Sequence, residues 1–201
     1  MTTAHDKPSY HHGNLRVALL EAVGEIIREN GVGAVSLREA ARRAGVSHSA
    51  PSHHFGDKLG MLTAFAIQGF EEFRRRMEGA IEAASGDARE AFNAIGVVYI
   101  EFSIREPEWF DVMFRSEMHD KDDPALREAA RRAFGVLTEA VETLCAASDD
   151  DLDAEMIAID AWAKVHGLAT LWRDGALQMF VDQPLPDLVQ QLFETDPLPK
   201  A

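Results

Sequence analysis

The chain of 201 residues is 46% hydrophobic and 27% charged, which suits one large or two small domains and excludes wholesale disorder. Its net charge of −14 argues against nucleic acid at first sight, but the charge is unevenly spread. Residues 1–60 hold seven Lys and Arg against six Asp and Glu, the remainder holds 13 against 28, and six of the eight histidines fall in the first 54 residues, so two parts with two tasks are expected.

Helical periodicity runs along the whole chain, and nothing alternates with the period of a strand. Leu15, Ala18, Leu19, Ala22, Val23, Ile26 and Ile27 step by three and four, an apolar face ended by Asn30-Gly31. Ser36-Leu37-Arg38-Glu39 reads as a capping box, with the Ser hydroxyl accepting from the Glu39 amide and the Glu carboxylate reaching back. That second helix stops at Gly45. Ser47 is expected to cap a third short helix through Phe55. Asp57 opens a fourth, with Leu62, Phe65, Phe70, Phe73 and Met77 on one face. A fifth runs from Asp87 to Arg105. Pro107 starts a sixth, and Asp123-Pro124 a seventh. Ser148 is expected to cap an eighth helix ending near Asp174-Gly175, and a short ninth follows Pro186. The expected fold is all-α, with about nine helices.

The informative stretch is SLREAARRAGVSHSAPSHHF, residues 36–55. Ala41 lets two helices approach, Gly45 permits a tight turn and Val46 fills the space beneath. This is the pattern of a helix-turn-helix, whose second helix enters the DNA major groove. Ser47, His48, Ser49, Ser52 and His53 form its outward face, short donors and acceptors suited to base edges and phosphates. Arg42 and Arg43 read equally well as a solvated face or as phosphate contacts, and His54 as a packing residue against Phe55.

With Val35–Ala41, Ala44-Gly45-Val46-Ser47 and His54-Phe55-x-x-Lys58-x-x-x-Leu62 in place, the chain resembles the TetR (tetracycline-repressor-like) family of transcriptional regulators. Trp162-x-x-x-His166-Gly167 is similar to the Trp…His-Gly signature of the WHG-type C-terminal subgroup. The resemblance implies a three-helix DNA-binding domain over residues 1–60 and a helical effector-binding and dimerisation domain over residues 61–201. It implies a ligand-responsive regulator, a repressor by family default, that binds a palindromic operator in double-stranded DNA as a homodimer. Ser36 and Arg38 would then touch the DNA backbone, and Lys58 would hold a phosphate. Ser52 stands where many members carry an aromatic residue, and Pro51 is unusual inside a reading helix.

For a small apolar effector, the expected pocket residues are Tyr99, Phe102, Trp109, Phe110, Met113, Phe114, Trp162 and His166, with Arg105 and Arg115 as further polar groups. The dimer interface is expected on the eighth and ninth helices, because Ile157, Ala161, Val165, Leu168, Ala169 and Trp172 exceed what one thin body needs to cover.

Other classes find little support. Gly31-Val32-Gly33-Ala34-Val35-Ser36 follows a helix rather than a strand, so it is no dinucleotide loop, and no hydrolase elbow, P-loop or HExxH motif occurs. No Glu has His three residues on, and the single Cys145 excludes a disulfide framework or four-thiolate site, so no metal or cofactor is expected. No apolar run spans a bilayer, and the N-terminal stretch lacks a signal peptide's apolar segment, so no membrane partner and a cytoplasmic location are expected.

Overall fold

The computed structural model describes residues 12–146 and 153–195. Nine α-helices and no strand occur among them: α1 His12–Asn30, α2 Leu37–Arg43, α3 Ala50–Phe55, α4 Lys58–Ala83, α5 Ala88–Arg105, α6 Pro107–Phe114, α7 Pro124–Cys145, α8 Ala154–Arg173 and α9 Leu185–Thr195. Short 3-10 turns at Val32–Ala34 and Leu177–Met179 precede α2 and follow α8.

Short acceptor side chains fix most of the starts. Ser36, Asp57, Asp87, Asp123 and Asp153 each accept from a backbone N–H in the first turn of the helix that follows. Two expected starts move. The eighth helix begins at Ala154 behind Asp153; Ser148 lies outside the described residues. The third begins at Ala50 rather than after Ser47. Its neighbour Pro51 has no N–H to give the Ser47 carbonyl, which instead accepts from Ala50 N at 3.0 Å. Regular i to i−4 bonding starts only when His53 N donates to Ser49 O. The capping box is half formed. Ser36 Oγ accepts from Glu39 N at 3.2 Å, but the Glu39 carboxylate turns to Arg42 and Arg43.

The first three helices pack around Leu19, Val23 and Ile26 of α1, with Val35, Ala40 and the opening turns of α4 (Met61, Leu62, Phe65) beneath. The division expected at residue 60 thus falls inside α4, which enters both parts. Farther along, α4 packs on α5, α6 and α7, while α8 covers α5 and α7 and α9 rests on α5. Buried Phe73, Phe92, Ile95, Leu137, Val141 and Leu144 form the centre of this body. No helix among the described residues is long and apolar enough to cross a membrane.

Candidate DNA-reading face and effector cavity

The turn between α2 and α3 follows from one glycine. Gly45 takes φ +66°, the left-handed conformation. Val46 N donates to Ala41 O at 3.0 Å and Gly45 N to Arg42 O at 3.3 Å, the paired bonds of a Schellman ending. A second glycine closes the far side. At Gly60 a Cβ would overlap the Phe55 carbonyl oxygen, so only glycine lets the end of α3 lie against the start of α4.

Between these two glycines, Ser47, His48, Ser49, Ser52 and His53 are all exposed, while Pro51 is buried against the unit. The first three belong to the turn leading into α3 rather than to its body. His54 is half-buried and its ring lies 6.2 Å from that of Phe55.

The cations of this unit divide sharply. Arg42 Nη2 reaches Glu39 at 2.6 Å, and Arg43 spans Glu39 and Glu29, with 2.6 Å to the latter. Hydrogen bonds from Arg42 and then Arg43 push the Glu39 carboxyl down to about 2. Both arginines are thus paired within the unit, Arg43 with its side chain largely covered and Arg42 with its side chain 64% exposed. Arg28 is also taken, by Glu108 of α6. Arg38 and Lys58 are exposed and have no carboxylate partner among the described residues; Lys58 Nζ sits 3.4 Å from the Val32 carbonyl. Arg16, not singled out from sequence, joins them. It is exposed on α1 and stacks over Phe55 at 4.7 Å, beside the end of α3. Only contact with a residue 39 positions away marks it, so no local pattern could.

In the body, α4 to α9 and the segment between α6 and α7 line a partly open cavity of about 860 Å³. Tyr99, Met113, Phe114 and Trp162 lie on its wall. Phe102, Trp109, Phe110 and His166 do not. Phe102 is 1% exposed and stacks on Trp109 with centroids 6.0 Å apart. Phe110 is packed among Tyr99, Phe114 and His166, with the Arg173 guanidinium 4.9 Å above it. The reason is position along α6. Its first turn is clamped against α1 and α4, and only its second turn reaches the cavity. Arg105 and Arg115 also miss it and pair with Glu101 and Asp111 on their own helices. Most of the remaining wall is apolar, with Phe70, Phe73 and Met77 of α4, Phe92 and Ile95 of α5, Phe134 and Leu137 of α7, and Leu168 of α8, while Ser116, His119, Arg131 and Lys164 are its other polar members. Each of the apolar residues sits on an apolar face legible in sequence, but the gap between faces is not.

His166 works behind the wall. Its Nδ1 is 2.6 Å from the Tyr99 hydroxyl, which can donate to it. Burial lowers the basicity of His166 and raises the Tyr99 phenol, the latter partly offset by a hydrogen bond from Trp162. Both groups are therefore neutral near pH 7. His166 also lines a smaller recess of about 360 Å³ with Ile159, Trp162 and Ala163. Cys145 is half-buried, and burial raises its thiol, so it is unreactive filler.

One helix touches both regions. At the start of α6, Glu108, 4% exposed, receives Arg28 Nη2 at 2.6 Å and Nε at 3.2 Å on one oxygen. At its end, Met113 and Phe114 meet the cavity. Gly69 of α4 allows the close approach between, since a Cβ there would sit 2.6 Å from Met113 Sδ.

The residues counted from sequence as surplus apolar surface on the eighth helix are not surplus. Ala161 and Ala169 are buried, and Ile157, Val165, Leu168 and Trp172 pack against the core. The exposed apolar residues of α8 are Met156, Ile159, Trp162 and Leu171, continued by Met179 and Phe180 after it.

Comparison with known proteins agrees with this architecture. Residues 19–65 match the family described as bacterial regulatory proteins, tetR family, and residues 92–195 match the tetracyclin repressor-like C-terminal domain. The HTH-type transcriptional regulator BetI of Rhizobium meliloti (strain 1021) is 31% identical over 157 residues, covering 76% of this chain and 75% of that protein. A solved protein of unknown function from Rhodococcus sp. RHA1 is 34% identical with a TM-score of 0.83, over 94% of this chain and 96% of that one. The regulator FadR of Bacillus subtilis, solved with stearoyl-CoA, shares the fold at TM-score 0.68 and 17% identity, over 89% of this chain and 95% of that one. The chain belongs to the TetR family and is a DNA-binding transcriptional regulator rather than an enzyme.

Proposed function

We propose that the protein is a homodimeric repressor that holds a palindromic operator in the cytoplasm and leaves it when a small apolar effector fills the body cavity. The observation that carries this reading is α6, which supplies Met113 and Phe114 to the cavity wall and Glu108 to Arg28 of α1. An occupant that displaces the second turn of α6 pulls on α1, and through it on the reading unit.

In this reading Ser36 and Arg38 touch backbone, Lys58 holds a phosphate, and Ser47, His48, Ser49, Ser52 and His53 meet the major groove. With a short Ser52 where the family resemblance would lead one to expect an aromatic residue, Arg16 stacked on Phe55 offers a cation on that flank instead. The exposed apolar strip of α8 forms the dimer face with α9.

The test uses DNA flanking the protein's own gene. Purified protein should bind one palindrome there as a dimer, with half-sites about one helical turn apart. An apolar ligand that fills the cavity should release it. A monomer by light scattering at micromolar concentration, or binding indifferent to every cavity ligand, overturns the reading.

A further inference from the structure

From the cavity's chemistry we infer the class of effector: an uncharged, mostly hydrocarbon small molecule carrying one hydrogen-bond donor, received by His119. The inference rests on the cavity being the effector site.

The size argument comes first. A volume of about 860 Å³ is near the top of the range for sites that engulf a drug-sized ligand. Its wall is almost wholly aromatic, aliphatic or Met. Desolvating a molecule of that size is favourable only if most of it is apolar.

Charge comes second. The cations on the wall are Arg131 and Lys164. Arg131 pairs with Glu128, and Lys164 with Asp160 at 2.6 Å, each on its own helix. Both side chains are more than half exposed, so they sit at the rim in water, where a further ion pair contributes little. Among the described residues no carboxylate lies on the wall to receive a cation. A charged ligand would leave its hydration for no matching partner.

The polar side chains that remain are those of Ser116, an exposed residue, Tyr99 and His119. The Tyr99 hydroxyl is committed to His166. His119 is different. Its Nε2 lies 3.2 Å from the Met113 carbonyl, which can only accept, so Nε2 carries the hydrogen. In the neutral ring Nδ1 is then a bare acceptor, and it is buried with no partner. The ring is fixed by that bond and by the next residue, since Asp120 N donates to Thr63 Oγ1 of α4 at 2.9 Å. A buried acceptor without a donor is costly, and a ligand hydroxyl or amide N–H that shifts the wall at His119 enough to reach Nδ1, which is covered in this structure, would satisfy it.

The test compares three probes with one 12-carbon chain: 1-dodecanol, its methyl ether and dodecanoate at pH 8. Affinities are read on the full-length protein by calorimetry. Dodecanol should bind about tenfold tighter than the ether and at least tenfold tighter than the carboxylate. In His119→Phe the preference for alcohol over ether should vanish while the ether binds as before. Ether equal to alcohol in the unaltered protein, or dodecanoate tightest, overturns the inference and leaves the effector cavity standing. Binding of none of the three removes the cavity reading, and the inference with it.

Discussion

Among the described residues, every buried side-chain polar atom without a partner lies beyond residue 60: Gln68 Oε1, Asn93 Oδ1, Glu108 Oε2, Trp109 Nε1 and His119 Nδ1. The N-terminal unit packs mainly branched aliphatic side chains between its first three helices and closes its turns with Schellman and capping bonds. The body packs rings on rings, as in Phe73–Phe102 at 5.0 Å and Phe110–Phe114 at 4.9 Å, and keeps a large cavity between them. Small branched groups interdigitate to high density, whereas flat rings spaced along helices leave gaps wherever their edges fail to meet. The unit that reads DNA must hold one shape. The unit that answers a ligand carries unfilled volume and unmet hydrogen bonds, which are the means of having a second shape.

The comparison predicts separable damage. Gly60→Ala should have the largest effect. The new Cβ overlaps the Phe55 carbonyl oxygen, so the α3–α4 corner must open and re-aim the reading helix. Operator affinity should fall more than about 100-fold, roughly 2.8 kcal/mol by the tenfold-per-1.4 rule, while dodecanol still binds the body unchanged. Loss of both together would show that the two regions do not fold as independently as their packing suggests.

The Arg28–Glu108 pair is the seam, and its two ends are unequal. Glu108 is nearly fully buried, whereas the Arg28 side chain is 57% exposed. Arg28→Ala strands a buried carboxylate and should cost about 1–2 kcal/mol, below the usual range for a fully buried pair because Arg28 is solvated. Glu108→Gln removes the charge along with its need for a partner and should cost less. Both should blunt effector-driven release from the operator. Urea denaturation and release titrations decide it; equal stability loss would mean that Glu108 is not the burdened end.

Within the reading unit the cations can be sorted by salt. Arg38→Ala should lower the slope of log affinity against log salt by about one for each phosphate it no longer neutralises, with roughly tenfold weaker binding to every sequence. Arg42→Ala should leave the slope nearly unchanged, because Glu39 already holds that charge. Identical slopes for the two variants would erase the distinction between free and committed cations.

Where the sequence is legible, the determinants are local. Gly45, Ser36 and Asp57 act within five residues, and the turn they specify is readable from spacing alone. The start of α3 is not, because Pro51 cancels a bond to Ser47 that a cap-based reading takes for granted. In the body, apolar faces are visible in the sequence but their depth is not. Trp109 and Met113 share a face of α6, yet one stacks on Phe102 and the other borders the cavity. The fate of Arg43 turns on Glu29 across a tertiary contact, and that of Arg28 on Glu108, 80 residues away. Spacing carries no information at that range.

The smallest expected effect is a pH dependence confined to the body. Burial lowers the basicity of His166 below its ordinary value of 6.5. Between the folded value and 6.5 the unfolded chain therefore binds more protons at this site than the folded one, and stability rises with pH across that window. The contribution is whole above about 6.5, falls as the medium is acidified through it, and levels off below the folded value. In the neutral ring Nδ1 accepts from the Tyr99 hydroxyl, an arrangement that protonation of Nδ1 would break. His166→Gln keeps an acceptor for Tyr99 but cannot titrate. The melting temperature of the unaltered protein relative to this variant should therefore drop by a few degrees at most between pH 8 and pH 5. A difference that stays flat would mean that His166 is solvated enough to titrate freely and that the Tyr99–His166 contact opens to water, and one that grows on acidification would mean that the folded state favours the imidazolium.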